Sequence, residues 1–75
     1  MMTIDAMKRH CLVRISVQRD LVNKAATELS AKMEATTLWT MANLYYDLEL
    51  IPKAVRDNAI ADADKVLLPH REVTE

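Results

Sequence analysis

Residues 11–18 carry side chains of the kinds that read the edges of nucleic-acid bases. Three polar residues, Arg14, Ser16 and Gln18, alternate there with β-branched apolar ones. In a β-strand successive side chains point to opposite faces, so this alternation would give one polar face and one apolar face. In the DNA major groove Arg pairs with guanine, Gln with adenine, and Ser with either. The pattern therefore favours a base-reading strand.

The chain offers little for catalysis or metal binding. It has no glycine, one cysteine and two histidines, which excludes glycine-rich phosphate loops and leaves too few ligands for a metal site of known spacing. His10 and Cys11 are adjacent, and neighbouring side chains of a strand point to opposite sides, so they would not form a nucleophile–base pair. We expect no enzymatic activity, no catalytic residue, no cofactor and no metal.

Length and composition predict a small folded protein that needs a second subunit. The 75 residues are 51% hydrophobic and 28% charged, which is enough apolar sequence to fold. A chain this short buries only about 60% of its unfolded surface, and small domains commonly add disulfides, metals or oligomerisation. A single cysteine, with no secretory signal and no long apolar run, fits a cytoplasmic protein without a membrane segment. We expect an obligate homodimer.

Charge is distributed unevenly along the chain, although the net charge is only −1. Residues 1–24 carry five positive and two negative side chains, whereas residues 25–75 carry five positive and nine negative ones. This asymmetry suggests a basic surface with one partner and an acidic segment with another. The alternative is that the charges merely cover solvated faces.

Apolar spacing predicts three helices in the rest of the chain. A break at Thr36 and Thr37 separates the first two, and either threonine could cap the second helix. Pro52 lies between the second helix and the third, and Pro69 should end the third. The predicted ranges are 19–33, 38 to Pro52, and 54–68.

Residues 11–18 also fit a second interpretation. Ile4, Cys11, Ile15 and Val22 share a helical stripe, which allows one long helix over residues 3–33. That helix would place Gln18 on its apolar stripe and would turn several apolar side chains outward. Because β-branched residues suit a pleated surface, the strand is favoured.

The order strand, helix, helix carries a family resemblance. Residues 13–17, with Asp20-Leu21, Asn23, Ala25-Ala26, Leu29 and Met33, resemble the ribbon–helix–helix antitoxins of the RelB/DinJ type. Thr36-Thr37 is similar to the residues that cap the second helix of the family. Leu50-Ile51-Pro52 is similar to the apolar residues and proline that follow that helix. The expected fold is mainly α with one short N-terminal β-strand, an intertwined ribbon–helix–helix dimer. The alternative is an all-α helical hairpin dimer.

The resemblance implies the function and its residues. Residues 1–51 would form the DNA-binding and dimerisation domain of a transcriptional autorepressor, and residues 52–75 would bind a basic toxin protein. The implied operator-DNA contacts are base contacts from Arg14, Ser16 and Gln18, and a phosphate contact from the backbone at Thr36 and Thr37, at the N-terminus of the second helix. The implied partner-binding residues are Val55, Ala59, Asp62 and Val66. The alternative function is a small all-helical interaction or inhibitor protein that does not bind DNA.

Overall fold

The chain folds as three α-helices. A computed structural model describes the backbone of residues 3–73 and the side chains of residues 3–68, and no strand occurs in that part of the chain. The helices are α1 Ile4–Lys24, α2 Glu28–Asp47 and α3 Lys53–Val73. The expected ribbon–helix–helix fold is therefore wrong, and the all-α alternative is the fold class observed.

Helix α1 includes all of residues 11–18, for which a strand was expected. It begins at the N-cap Thr3, whose hydroxyl accepts a hydrogen bond from the Ala6 backbone N–H at 3.1 Å. One stripe of the helix is buried, and it consists of Cys11, Ile15, Gln18 and Val22. A β-branched residue loses at most about 0.7 kcal/mol in a helix relative to Ala. Burial of this stripe within one chain outweighs that loss, whereas a lone strand would need a partner.

The α1–α2 boundary lies at residues 25–27, about ten residues before the expected break. Thr27 caps α2, because its hydroxyl accepts a hydrogen bond from the Ser30 backbone N–H at 3.0 Å. Glu28 follows in the first turn, where its charge suits the positive end of the helix dipole. Thr36 and Thr37 lie inside α2 and cap no helix, so that expectation is corrected.

Helix α2 ends in a turn that usually contains glycine. The Leu50 N–H donates to the Tyr45 carbonyl at 2.8 Å, and the Glu49 N–H donates to the Tyr46 carbonyl at 2.9 Å. This is the hydrogen-bond pattern of the Schellman motif, in which one residue adopts the left-handed conformation. Glu49 adopts it here with φ 60°, although its Cβ makes that conformation unfavourable.

Helix α3 begins directly after Pro52 and extends past Pro69, where the sequence predicted its end. Helix α2 lies between α1 and α3 and contacts both. The buried core draws on all three helices and consists of Ile15, Val22, Ala35, Leu38, Ala42, Ala59 and Ala63. Four of these seven side chains are alanines, so the helices approach closely and the core contains little volume.

Between residues 3 and 73, no helix combines the length and the apolar character needed to cross a bilayer.

The left-handed Glu49 generates a stability prediction. Glu49→Gly should raise the free energy of unfolding by about 1 kcal/mol, because glycine adopts positive φ without the Cβ clash. Glu49→Ala is the matched control, since it removes the same charge but keeps Cβ. Urea denaturation of both variants at one protein concentration measures the difference. An equal gain in both variants, or no gain with glycine, would contradict the account.

Candidate protein-interaction surface

Gln18, expected to read a base, lies instead in the contact between α1 and α2. Its side chain is 8% exposed, and its Nε2 donates to the Glu34 carbonyl at 2.9 Å and to the Glu34 Oε1 at 3.1 Å. A buried amide needs such partners, because desolvating it unpaired costs about 1–3 kcal/mol. Gln18 therefore connects two helices of one chain, and its amide is not available at the surface.

Arg14 and Ser16 are exposed on α1 but do not form one polar face with Gln18. The Arg14 Nε donates to the Tyr45 hydroxyl at 3.2 Å, so this guanidinium contacts α2. Because the three residues now share a helix, successive ones are turned about 200° apart. The alternation that suggested base reading is lost. Operator binding remains a prediction, but the ribbon that supported it is absent from the described backbone.

Thr36 and Thr37 are placed differently from the expected phosphate contacts. The Thr36 hydroxyl donates to the Lys32 carbonyl at 2.9 Å, and the Thr37 hydroxyl donates to the Met33 carbonyl at 3.1 Å. Both residues lie in the middle of α2, where the backbone N–H groups are already bonded within the helix. The argument from a helix N-terminus, which has unbonded N–H groups, does not apply to them.

The four expected partner-binding residues lie on the side of α3 that packs within the chain. Ala59 is fully buried, and Val55 and Val66 pack against the core. Asp62 forms an ion pair with Arg19 of α1 and a second, at 3.6 Å, with Lys65. The apolar side of this segment is occupied by α2 and α1, and toxin binding stays a prediction.

Metal and nucleophile chemistry has no assembled site in the described residues. No group of three or more His, Cys, Asp or Glu side chains comes together there in a way that could hold a metal ion. The thiol of Cys11 is buried on the inner side of α1.

The largest unexplained feature is a row of exposed side chains along α2, here called the α2 stripe. Its members recur at intervals of three or four residues and therefore lie on one side of the helix. They are Leu29, Met33, Thr37, Thr40, Leu44 and Leu48. The four apolar members are between 51% and 68% exposed. Helical spacing in the sequence does not by itself separate this exposed row from the buried one.

A second exposed row, the α1 stripe, lies along α1 and consists of Val13, Val17 and Leu21, which are 60%, 53% and 42% exposed. Arg14 and Gln18 mark the side of α1 that meets α2, and Val17 and Leu21 follow next around the helix. Arg19, which reaches α3, lies on the other side. The α1 stripe therefore borders the α1–α2 contact on the side away from α3.

The α2 stripe borders the same contact. Glu34 and Tyr45 receive the hydrogen bonds from α1, whereas Tyr46 lies under Arg56 of α3 at 4.3 Å. Going around α2 from Glu34 and Tyr45 away from Tyr46, the next side chains are those of the α2 stripe. The two stripes together form one outer surface, opposite α3.

An apolar cleft lies at the far end of the hairpin, between the start of α1 and the end of α2. Ile4, Met7 and Leu48 line it. Ile4 is 67% exposed and Leu48 is 58% exposed. Leu48 belongs to the α2 stripe, whereas Ile4 continues the inner stripe of α1, so the cleft adjoins the outer surface only through Leu48.

The central part of α2 carries no charge. Residues 35–46 contain no Asp, Glu, Lys or Arg, although several of them are exposed. Exposed helix faces normally carry charged and polar side chains. The exposed side of this part of α2 therefore lacks the charges that are usual on a helix face in contact with water.

The polar side chains of this region donate their hydrogen bonds to the backbone of their own helix. Thr36, Thr37 and Thr40 each donate to the carbonyl four residues earlier, and the Asn43 amide donates to the Trp39 carbonyl at 3.0 Å. A donor that is bonded in this way does not need a water molecule as its acceptor. The surface can therefore be covered without leaving these donors unpaired.

Comparison with known proteins identifies no relative. No family model, curated protein or solved structure matches the chain. The resemblance to the RelB/DinJ antitoxins thus depends on the residue pattern alone.

The packing of α3 generates a truncation prediction. A chain that ends at residue 52 should lose cooperative unfolding, because removal of Ala59 and Ala63 uncovers Ala35 and Ala42 on α2. Deletion of residues 74–75 alone is the control and should leave unfolding unchanged. Thermal unfolding followed by circular dichroism distinguishes the two. A cooperative transition in the 1–52 chain would show instead that α3 is a separable arm.

Proposed function

We propose that this protein is a non-enzymatic helical interaction protein whose working form is a homodimer. Its interface is the outer surface formed by the α1 and α2 stripes. This proposal corresponds to the all-helical alternative given by the sequence. The comparisons give no independent support for any function, so the proposal depends on packing and charge.

The observation that carries the proposal is that four large apolar side chains of one helix are exposed on one side, while four of the seven core side chains are alanines. Among residues 3–68, the large apolar side chains that are buried are Ile15, Val22, Leu38 and Ile51. Leu29, Met33, Leu44 and Leu48, by contrast, are each more than half exposed. Soluble monomers rarely expose a contiguous apolar patch larger than a few hundred Å². A second subunit would bury these side chains and would supply the core volume that one chain lacks.

The apolar burial that this surface could supply is of the same order as the cost of association. Burying a fully exposed Leu or Met side chain contributes about 1.5–3 kcal/mol. A two-fold interface buries each residue twice, so even half of that value for four side chains per chain amounts to about 6–12 kcal/mol. Association costs at least about 4 kcal/mol in lost translational and rotational freedom. The apolar term exceeds this minimum.

Substitution at the centre of one stripe tests the proposal. Leu44→Lys should weaken dimerisation on the order of 100-fold, because each dimer loses two buried leucines at about 1.5 kcal/mol each. Leu12→Lys is the matched control: Leu12 is 40% exposed but lies on α1 away from the α1 stripe. Sedimentation equilibrium of the wild type and both variants gives the dissociation constants.

Two results would contradict the proposal. A folded wild type that remains monomeric over the micromolar range would exclude the homodimer. A dimer that Leu44→Lys leaves unchanged would place the interface on another surface.

A further inference from the structure

Along the α2 stripe, the order of large and small side chains is the same in both chain directions. Its six positions are separated by four, four, three, four and four residues, and large side chains flank two central threonines. Reversing the helix therefore superimposes large positions on large ones and threonine on threonine. A two-fold axis at the centre of the stripe would therefore bring each large position opposite a large one and each threonine opposite a threonine, and each contact would occur twice, as in any isologous interface.

We propose that two copies pack with their α2 helices antiparallel, about a two-fold axis between Thr37 and Thr40. This inference rests on the homodimer proposed above and specifies its geometry. Leu29 then meets the partner's Leu48, Met33 meets the partner's Leu44, and Thr37 meets the partner's Thr40. Each pair occurs twice in the dimer.

The threonines permit a close approach at the axis. The Thr37 hydroxyl donates to the Met33 carbonyl and the Thr40 hydroxyl donates to the Thr36 carbonyl at 2.9 Å. Their donors are satisfied within their own helix, so burial against the partner breaks no hydrogen bond that they donate. The side chains are small, and the larger ones lie one and two turns away on both sides. The helices can therefore cross closely at the centre and interdigitate toward the ends.

Charge favours the antiparallel over the parallel arrangement. The C-terminal end of α2 carries Asp47 and, just beyond it, Glu49, and its last turn has no basic residue. A parallel dimer would bring two of these acidic ends together, at the negative ends of two helix dipoles. The antiparallel dimer places each acidic end beside the N-terminal end of the partner's α2, where the helix dipole is positive and where Lys32 balances the charge of Glu28 at 3.9 Å.

The α1 stripe would enlarge the area buried in the dimer beyond the contact between the two α2 helices. A standard interface buries roughly 800 Å² per partner, which is broad for a single helix. Val17 and Leu21 lie beside the α2 stripe and face the same side. With the α2 helices at the axis, these α1 side chains flank the contact and enlarge the buried area.

Disulfide trapping tests the orientation. A tagged Leu29→Cys chain is mixed with an untagged Leu48→Cys chain and equilibrated in a glutathione redox buffer. The antiparallel dimer brings these two positions together. It separates two copies of residue 29 by about 28 Å, since each residue adds about 1.5 Å along a helix. A disulfide requires Cα atoms about 4.4–6.8 Å apart. The mixed disulfide should therefore exceed the Leu29→Cys homodimer disulfide by at least about tenfold.

Further chains control for folding and for the native thiol. Met33→Cys mixed with Leu44→Cys should give the same mixed product, which keeps the test valid if one end variant misfolds. The wild type, whose Cys11 is buried, should give no disulfide dimer. Circular dichroism and sedimentation show whether each variant is helical and dimeric before oxidation.

The outcomes separate this inference from the proposed function. Mixed disulfides at both position pairs support the antiparallel α2 contact. Disulfides between two Leu29→Cys chains indicate a parallel contact and overturn it. Helical dimers that form no disulfide at any of these positions also overturn it, although the homodimer stands. Helical monomers overturn both.

Discussion

The structure depends on the close contact that α2 makes with its neighbours through small side chains. Ala35 and Ala42 of α2, and Ala59 and Ala63 of α3, are completely buried. The chain contains no glycine, so alanine is the smallest residue available for this contact. With α2 so near α3, the space between the helices accommodates few large side chains. Leu38 and Met41 of α2 pack in the core, whereas Leu29, Met33 and Leu44 lie on the opposite side of the helix.

This distribution explains why the outer surface is the part of the molecule most in need of a partner. The inner face of α1 is covered by Ile15 and Val22 packing on the core and by the bond from Gln18 to Glu34. The ion pair between Arg19 and Asp62 connects α1 to α3. Together with partly buried side chains such as Met41, Ile60 and Leu67, these contacts form the core of the single chain. In the proposed dimer, a second copy on the outer surface would bury the large apolar side chains that one chain leaves exposed.

Parts of this structure were predictable from the sequence because they depend on helical periodicity alone. The spacing predicted helix over 19–24, 38–47 and 54–68, among other residues, and α1, α2 and α3 include these three segments. The strand at residues 11–18 was wrong because Ile15 satisfies both a two-residue and a helical period. What decides between them is the packing of α2 against Cys11, Ile15 and Val22, and local propensity does not contain that information. The boundary at Thr27 was missed for a similar reason. Threonine is a common N-cap residue, so the sequence favoured Thr36 and Thr37, whose hydroxyls instead donate to carbonyls of the same helix.

The central claim is that one chain lacks a sufficient core and that a second copy completes it. The most direct measurement is the thermal unfolding midpoint of the wild type over a hundredfold range of protein concentration. For folding coupled to dimerisation the midpoint rises with concentration, because association stabilises the folded state by mass action. A midpoint that stays constant across that range, with cooperative unfolding, would show that the single chain is stable alone and would contradict the account.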